Sequence, residues 1–342
     1  MVSAYEYCRL PDGRAVTAYE IKNTFGESAV ILNYGASIGA LNVLDRDGNI
    51  SDVVLGADPG QDVSRASYVG SLMGRCGNRI ANAAFTIDGK DFHLAPMEGP
   101  HHLHGAEGNW AKQLFEGEIG DQSVILRHVD DGRDGWDCAV EAEITYQFDD
   151  SHALTLTYQV KALGDTVISP TNHAYFNLNA PKEVLDTELQ IFTESYAPKS
   201  EYHMPDGRIH SVLNTPLDFH QPRTFRQALE AGPKDFFPAY QDSFDDFNIV
   251  PGNGFRQMAC AWCPENGRQL SIYSDAQSVI LYTPVVKDPV QNKGGKNYQG
   301  HIAFCLETQF VPNAVNCPQY RSPVFKKGQV MHSRTVYAFD VR

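Results

Sequence analysis

The chain has 342 residues, 42% of them hydrophobic and 20% charged, which is enough apolar surface for a sizeable core and too little charge for a disordered segment. Its formal net charge of −14 argues against nucleic acid or an anionic membrane surface, either of which requires a basic face. It also disfavours a strongly anionic substrate unless a local basic pocket overrides the field, so a small neutral ligand is expected. There is no N-terminal apolar segment of leader type and no apolar run long enough to span a bilayer. Seven scattered cysteines (Cys8, Cys76, Cys138, Cys260, Cys263, Cys305 and Cys317) then read as reduced thiols in the cytoplasm. Cys260-Ala261-Trp262-Cys263 has redox or zinc spacing, but no second such pair accompanies it, and chance spacing at a strand or turn explains it better.

In chain order, alternating or apolar runs predict strands near 29–34, 85–95 and 124–129. A β-hairpin follows: Val140, Ala142, Ile144, Tyr146 and Phe148 alternate with polar residues, Asp149-Asp150-Ser151-His152 turns the chain, and Leu154, Leu156, Tyr158 and Val160 resume. One short helix is predicted after Thr224, which forms a capping box with Gln227; Phe225, Ala228 and Leu229 share its face and Gly232 ends it. The rest of 196–245 reads as loop, and so long a loop region in a compact domain is usually functional. Further strands are expected at 270–273, 279–283 and 330–339, with Asp-Gly turns at Asp12, Asp47, Asp88, Asp131 and Asp206. Without repeats or a linker, the pattern predicts one all-β domain over 1–342, an antiparallel β-sandwich.

Two segments put chemistry where packing alone would want Val or Ile. His173 lies within Thr171-Asn172-His173-Ala174-Tyr175-Phe176-Asn177-Leu178, and Glu307 within Phe304-Cys305-Leu306-Glu307-Thr308-Gln309. Burying either group costs free energy without a partner or a task. A desolvated Glu, its pKa raised, and an imidazole titrating near about 6.5 suit general acid–base chemistry. His173 alone reads equally well as a satisfied core histidine; Glu307 in mid-strand is harder to explain by packing.

Four other segments are polar in unexpected places: Gly74-Arg75-Cys76-Gly77-Asn78-Arg79-Ile80, His101-His102-Leu103-His104-Gly105, Asp242-Ser243-Phe244-Asp245-Asp246-Phe247, and Val311-Pro312-Asn313-Ala314-Val315-Asn316. Arg75 and Arg79 taken singly are salt-bridge or surface residues, and the acidic cluster is a solvated loop. On a strand, His102 and His104 would face one way and His101 the other, so at most two could join Glu307 or Asp245 at a metal. That is not a recognised zinc spacing, and no metal is expected. Gln291-Asn292-Lys293-Gly294-Gly295-Lys296 is a basic loop without the context of a P-loop.

Together, in this order, the segments resemble the aldose 1-epimerase (galactose mutarotase) family over essentially the whole chain. Asn33-Tyr34-Gly35-Ala36-Ser37-Ile38 with Asp52-Val53-Val54-Leu55-Gly56 resembles the family's amino-terminal strands. Residues 74–80 are similar to Gly-Arg-x-x-Asn-Arg-Ile, 103–105 to Leu-His-Gly, 171–178 to Thr-Asn-His-x-Tyr-Phe-Asn-Leu, and 307–316 to Glu-Thr-Gln…Pro-Asp-Ala-x-Asn. The resemblance implies a large β-supersandwich with few short helices. It implies interconversion of α and β anomers of free aldoses such as galactose and glucose, without metal or organic cofactor, by a monomer or homodimer. It makes Glu307 the base on the C1 hydroxyl and His173 the acid at the ring oxygen. Asn78, Arg79, His104 and Asp245 are then sugar-binding.

Departures from the pattern accompany it. The family has Asp-His where Asp245-Asp246 stands, leaving open which carboxylate faces the sugar. A sugar-binding Gln would fall at Ile280, Phe247-Asn248 reverses the family's order, and Asn313 replaces an Asp. The changes at 246–248 and 280 are expected to lie away from the proton-transfer pair. Three other functions make different demands on the sequence. A hexose-6-phosphate epimerase would need a cationic clamp. A carbohydrate-binding module would lack the acid or the base. A metal-dependent lyase or isomerase would use His102, His104 and Glu307.

Overall fold

The computed structural model describes residues 1–66, 68–200, 203–231 and 243–342. The period-two pattern becomes strands as expected. Val140–Phe148 pairs antiparallel with Ala153–Ala162, with Phe148 opposite Leu154. The apolar members of the pattern are buried on one face, each fully buried Leu or Ile contributing roughly 1.5–3 kcal/mol. This hairpin is part of a nine-stranded sheet that also takes in Ser123–Asp130, Val330–Val341, Arg268–Ser274 and Arg256–Trp262, with Val330–Val341 as its central strand. Val330–Val341 lies between Ala153–Ala162 and Arg268–Ser274, so the two halves of the sheet are joined by a strand distant in sequence.

A five-stranded meander, Val2–Arg9 to Ile50–Asp52, forms a second sheet. A third sheet has the order His210–Ser211, Ser195–Ala197, Asp245–Ile249, Ser278–Tyr282, Cys305–Gln309. One apolar cluster joins all three, with Ile21 and Ile38 from the meander, Ile144 and Leu156 from the large sheet, and Val279, Leu281 and Leu306 from the third. The architecture is the expected antiparallel β-supersandwich with very little helix. Among the described residues the α-helix is Phe225–Glu230, with the capping box at Thr224 and Gln227 in place. Gly232, expected to end it, and Asp242 of the acidic cluster lie outside the described residues.

Two local expectations change. The run at 85–95 is not one strand but a hairpin, Ala84–Ile87 with Lys90–His93. It turns at Asp88-Gly89, where both residues have positive φ, as a two-residue hairpin turn requires. The basic loop at 291–296 closes another hairpin, Val285–Gln291 with Asn297–His301. Lys293 is turned inward there, its ammonium 2.7 Å from Asp52 and 2.9 Å from the Val54 carbonyl. All seven cysteines are free thiols; Cys260 is a strand residue opposite Ser271, and Cys263 follows the strand's end.

Arg75 is fully buried and is a structural residue. Its guanidinium makes two bonds to Asp130, at 2.6 and 3.0 Å, donates to the Cys138 carbonyl at 2.8 Å, and lies 4.9 Å from the centre of the Trp136 ring. Trp110 donates its indole N–H to the same carboxylate at 3.0 Å. Burial alone would raise the pKa of Asp130, but the Arg75 guanidinium holds it below the ordinary carboxylate value. Removing one partner of such a pair strands the other charge in the interior. Arg75→Met is therefore expected to lose about 3–5 kcal/mol in urea unfolding, with no comparable loss for removal of the exposed pair of Lys161 and Glu141.

Candidate active site

Strand alternation divides the third sheet between core and site. Along Cys305–Gln309, Leu306 faces the central core and Thr308 bonds Thr335 of the large sheet at 2.6 Å; Cys305, Glu307 and Gln309 point the other way. Cross-strand register then fixes their neighbours. Asp245 is opposite Tyr282, which is opposite Cys305; Phe247 is opposite Ile280, which is opposite Glu307. Asp245 therefore shares a face with Glu307, whereas Asp246 lies on the reverse, 3.6 Å from the Lys199 ammonium.

His173 is brought to this face by backbone bonds on both sides of its segment. Its N–H donates to Ser71 O and its carbonyl accepts from Gly70 N, both at 2.9 Å. Phe176 and Phe304 exchange backbone bonds at 2.8 and 3.0 Å, and Asn177 donates its side-chain N–H to the Ile302 carbonyl at 2.9 Å. The Asn-His-x-Tyr-Phe-Asn pattern is thus partly an attachment to the chain entering the Glu307 strand. It leaves His173 Nε2 at 3.5 Å from Glu307 Oε1.

His104 and Asn78 hold each other. The Asn78 N–H donates to His104 Nδ1 at 3.0 Å, and the His104 N–H donates to the Asn78 carbonyl at 2.9 Å. A backbone N–H can only donate, so Nδ1 is unprotonated and the neutral ring carries its proton on Nε2. Asn78 (φ 60°) and His104 (φ 53°) both adopt left-handed backbone. Gly105 follows at φ 96°, where a Cβ would lie 2.2 Å from the Gly74 carbonyl oxygen. Arg79 donates to Glu98 through Nε and Nη2, the latter at 3.0 Å, and to Asn78 Oδ1 through its backbone N–H at 3.0 Å. Asn313 supports this stretch: its N–H donates to Arg79 O and its side-chain oxygen accepts from Ala81 N, each at 3.0 Å.

Aromatic rings line the space. His173 stacks on Tyr175 at 4.9 Å and meets Tyr282 edge-on at 6.1 Å; Tyr68 lies 5.3 Å from His104. In these surroundings Glu307 Oε2 and His173 Nδ1 are buried without a hydrogen-bond partner among the described residues. Burial pushes the Glu307 carboxyl up to about 8; Asp245 adds to the rise and Arg79 opposes it. Burial pulls the His173 imidazole down to about 4, and drives His104 well below its ordinary value with His173 contributing. The pair thus holds one proton across neutral pH, on Glu307 when no ligand is present.

The aldose 1-epimerase family model matches residues 17–338. The galactose mutarotase of Bos taurus is 33% identical over 318 residues, covering 91% of this chain and 90% of that protein. That of Homo sapiens is 32% identical over the same coverage, and the aldose 1-epimerase of Escherichia coli 26% over 96% of each chain. Among solved structures, an aldose epimerase homologue from C. elegans superposes with a TM-score of 0.84 at 25% identity, covering 94% of this chain and 98% of that one. The chain belongs to the aldose 1-epimerase family. Its activity is interconversion of aldose anomers.

In this aldose 1-epimerase the predicted residues His173, Glu307, Asn78, Arg79, His104 and Asp245 come together from five segments. His102 does not join them. His104 leaves the strand in left-handed backbone, which breaks the expected alternation, and His102 packs edge-on to Trp136 with Nδ1 on the Ala95 carbonyl at 2.9 Å. No group of three or more potential metal-ligating side chains occurs among the described residues.

One expectation is overturned. Ile280 and Phe247 do not lie away from the pair: Ile280 is the register partner of Glu307, and both apolar side chains are fully buried on that face, packed with Val311, Ala314 and Tyr320. Alternation within each strand was readable, but the register between strands was not. An apolar side chain there offers the carboxylate no donor, consistent with its raised pKa. Tyr68, Glu98, His203 and Tyr282 were missed as site neighbours; none stands in a motif, though Tyr282 follows Ile280 at strand spacing.

A carboxyl with a raised folded pKa binds its proton more tightly in the native than in the unfolded state, so its burial becomes more destabilising as pH climbs from the unfolded value near about 4.3 towards about 8. The stability of Glu307→Gln relative to wild type, measured by urea unfolding, should therefore increase between pH 5 and pH 8.5. A difference independent of pH would mean that Glu307 is already charged at pH 5.

Proposed function

We propose that Glu307 and His173 perform anomer interconversion on small neutral monosaccharides such as galactose and glucose. The observation that carries this reading is the buried, unpartnered Glu307 Oε2 beside an imidazole 3.5 Å away. In the reactive form Glu307 is the carboxylate and His173 the imidazolium. Glu307 takes the proton of the C1 hydroxyl, the C1–O5 bond breaks as C1=O forms, and O5 takes a proton from His173. After rotation about C1–C2, His173 removes the O5 proton, O5 attacks C1, and Glu307 returns its proton to the carbonyl oxygen. The cycle restores both groups and needs no redox partner. Acid and base contribute about 10²–10⁴-fold each.

Burial of Glu307 by itself favours the other distribution of the same proton. A sugar hydroxyl donating to Glu307 favours the charged carboxylate. Neutral His104, with Nε2–H outward, serves as a donor, and Arg79, Asn78 and Asp245 bind hydroxyls. A phosphosugar is less well matched, because nearby cations already have carboxylates: Arg79 has Glu98, Arg75 has Asp130, and Lys199 has Asp246. In the same reading residues 1–342 form one domain that works in the cytoplasm as a monomer or homodimer, without metal or organic cofactor. No helix among the described residues is long and apolar enough to cross a membrane.

Polarimetry of freshly dissolved α-D-galactose and α-D-glucose, with chelator present, tests the reading: the approach to the unchanged final rotation should accelerate. Glu307→Gln should lose at least about 10²-fold in kcat with sugar binding kept, and His173→Asn should lower kcat more than it weakens binding. Near-normal turnover in Glu307→Gln would remove it as the base. Since kcat/KM follows the free enzyme's one-proton state, it should be level at neutral pH and fall tenfold per unit above about 8, after subtraction of the uncatalysed rate. A profile still rising at pH 9 would contradict the pair.

A further inference from the structure

His203 is a site neighbour that no sequence pattern marks and that the proton transfers do not use. Its Nδ1 lies 3.3 Å from Asp245 Oδ2, and its side chain is 20% exposed. The other charged groups around the ring are Arg79, Glu98 and Lys199. It therefore stands on the side of Asp245 and Arg79, and neither Glu307 nor His173 is among the groups that act on it.

The chain holds it there deliberately. A bridge between Lys199 and Pro205 closes the loop, with Ser200 N–H on Met204 O at 2.8 Å and Asp206 N–H on Pro198 O at 3.1 Å. Lys199 donates its ammonium to the Asp245 carbonyl at 2.6 Å, tying the loop to the strand that carries Asp245. His203 itself sits at φ 57°, left-handed backbone that costs a non-glycine residue roughly 1–3 kcal/mol and persists where its surroundings enforce it.

We propose that His203 is a further specificity-determining residue of this enzyme, pairing with Asp245 to read the sugar hydroxyls remote from the anomeric carbon. The inference rests on the monosaccharide reading above. An imidazole with Nδ1 3.3 Å from Asp245 Oδ2 does two things. It restrains the carboxylate's orientation, and it adds a second polar group beside the carboxylate's remaining lone pairs. Two adjacent polar groups on separate elements discriminate between an axial and an equatorial hydroxyl, because one epimer satisfies both and the other leaves one of them without its hydrogen bond. The role is distinct from proton transfer, so it should act through binding.

The test is kcat and KM for galactose and glucose, which differ in configuration at C4, in wild type, His203→Leu and His203→Gln, with thermal midpoints as a folding control. His203→Leu should change the ratio of the two kcat/KM values by about 5- to 50-fold, mainly through KM, with kcat within about twofold. His203→Gln, which keeps a polar group of similar reach, should recover part of the ratio, and serves alone if the Leu variant does not fold. An active wild type whose variants leave the ratio unmoved, or lose kcat equally for both sugars, overturns this role for His203. A wild type that accelerates neither sugar overturns the monosaccharide reading itself.

Discussion

A carboxylate and an imidazole held 3.5 Å apart where neither obtains a full set of hydrogen bonds is the constraint around which this molecule is built. Solvated, the two groups would titrate near about 4.3 and 6.5, and the proton would sit on the imidazole at intermediate pH. Burial reverses the order, with Glu307 near about 8 and His173 near about 4. The electrostatic cost is useful only if a ligand can relieve it. In the proposed function a sugar hydroxyl at Glu307 and a ring oxygen at His173 would do so, one donating and the other accepting.

Maintaining such a pair requires a rigid frame, and the same strands provide frame and site. Leu306 and Thr308 anchor one face of their strand to the large sheet while Glu307 occupies the other. The mutual bonds of Phe176 and Phe304 join the His173 segment to the entry of that strand, so the two titratable groups are set by backbone pairing. Around them left-handed backbone recurs at Asn78, His104 and Asn313, each held by bonds to the others' segments. Left-handed backbone at these three positions persists because the surrounding bonds enforce it.

Much of this was legible in the sequence, for identifiable reasons. Alternation at 140–148 and 154–160 wrote out the hairpin of the large sheet, and Thr224 with Gln227 wrote out the helix start. His173 and Glu307 stood out because a buried titratable group in an apolar run has no packing rationale. What could not be read was anything set by register or by a loop's path. Ile280 proved to be the neighbour of Glu307 because strand pairing placed it there. Asp245 rather than Asp246 faces the pair for the same reason. His203 reaches Asp245 from a loop whose course no periodicity encodes. Arg75 and Arg79, four residues apart in one motif, have separate fates: one is sealed in the core on Asp130, the other held at the site by Glu98.

The central claim is the protonation state of Glu307, and infrared difference spectroscopy of the sugar-free protein observes it directly. Spectra of wild type minus Glu307→Gln, recorded from pH 5 to pH 9.5, isolate this one carboxyl group. The account predicts a protonated carboxyl C=O band at neutral pH that gives way to carboxylate bands with a midpoint near about 8, and gives way already at neutral pH when galactose is added. Carboxylate bands alone from pH 5 upward would contradict it, and would mean that the pocket is wetter than its geometry indicates.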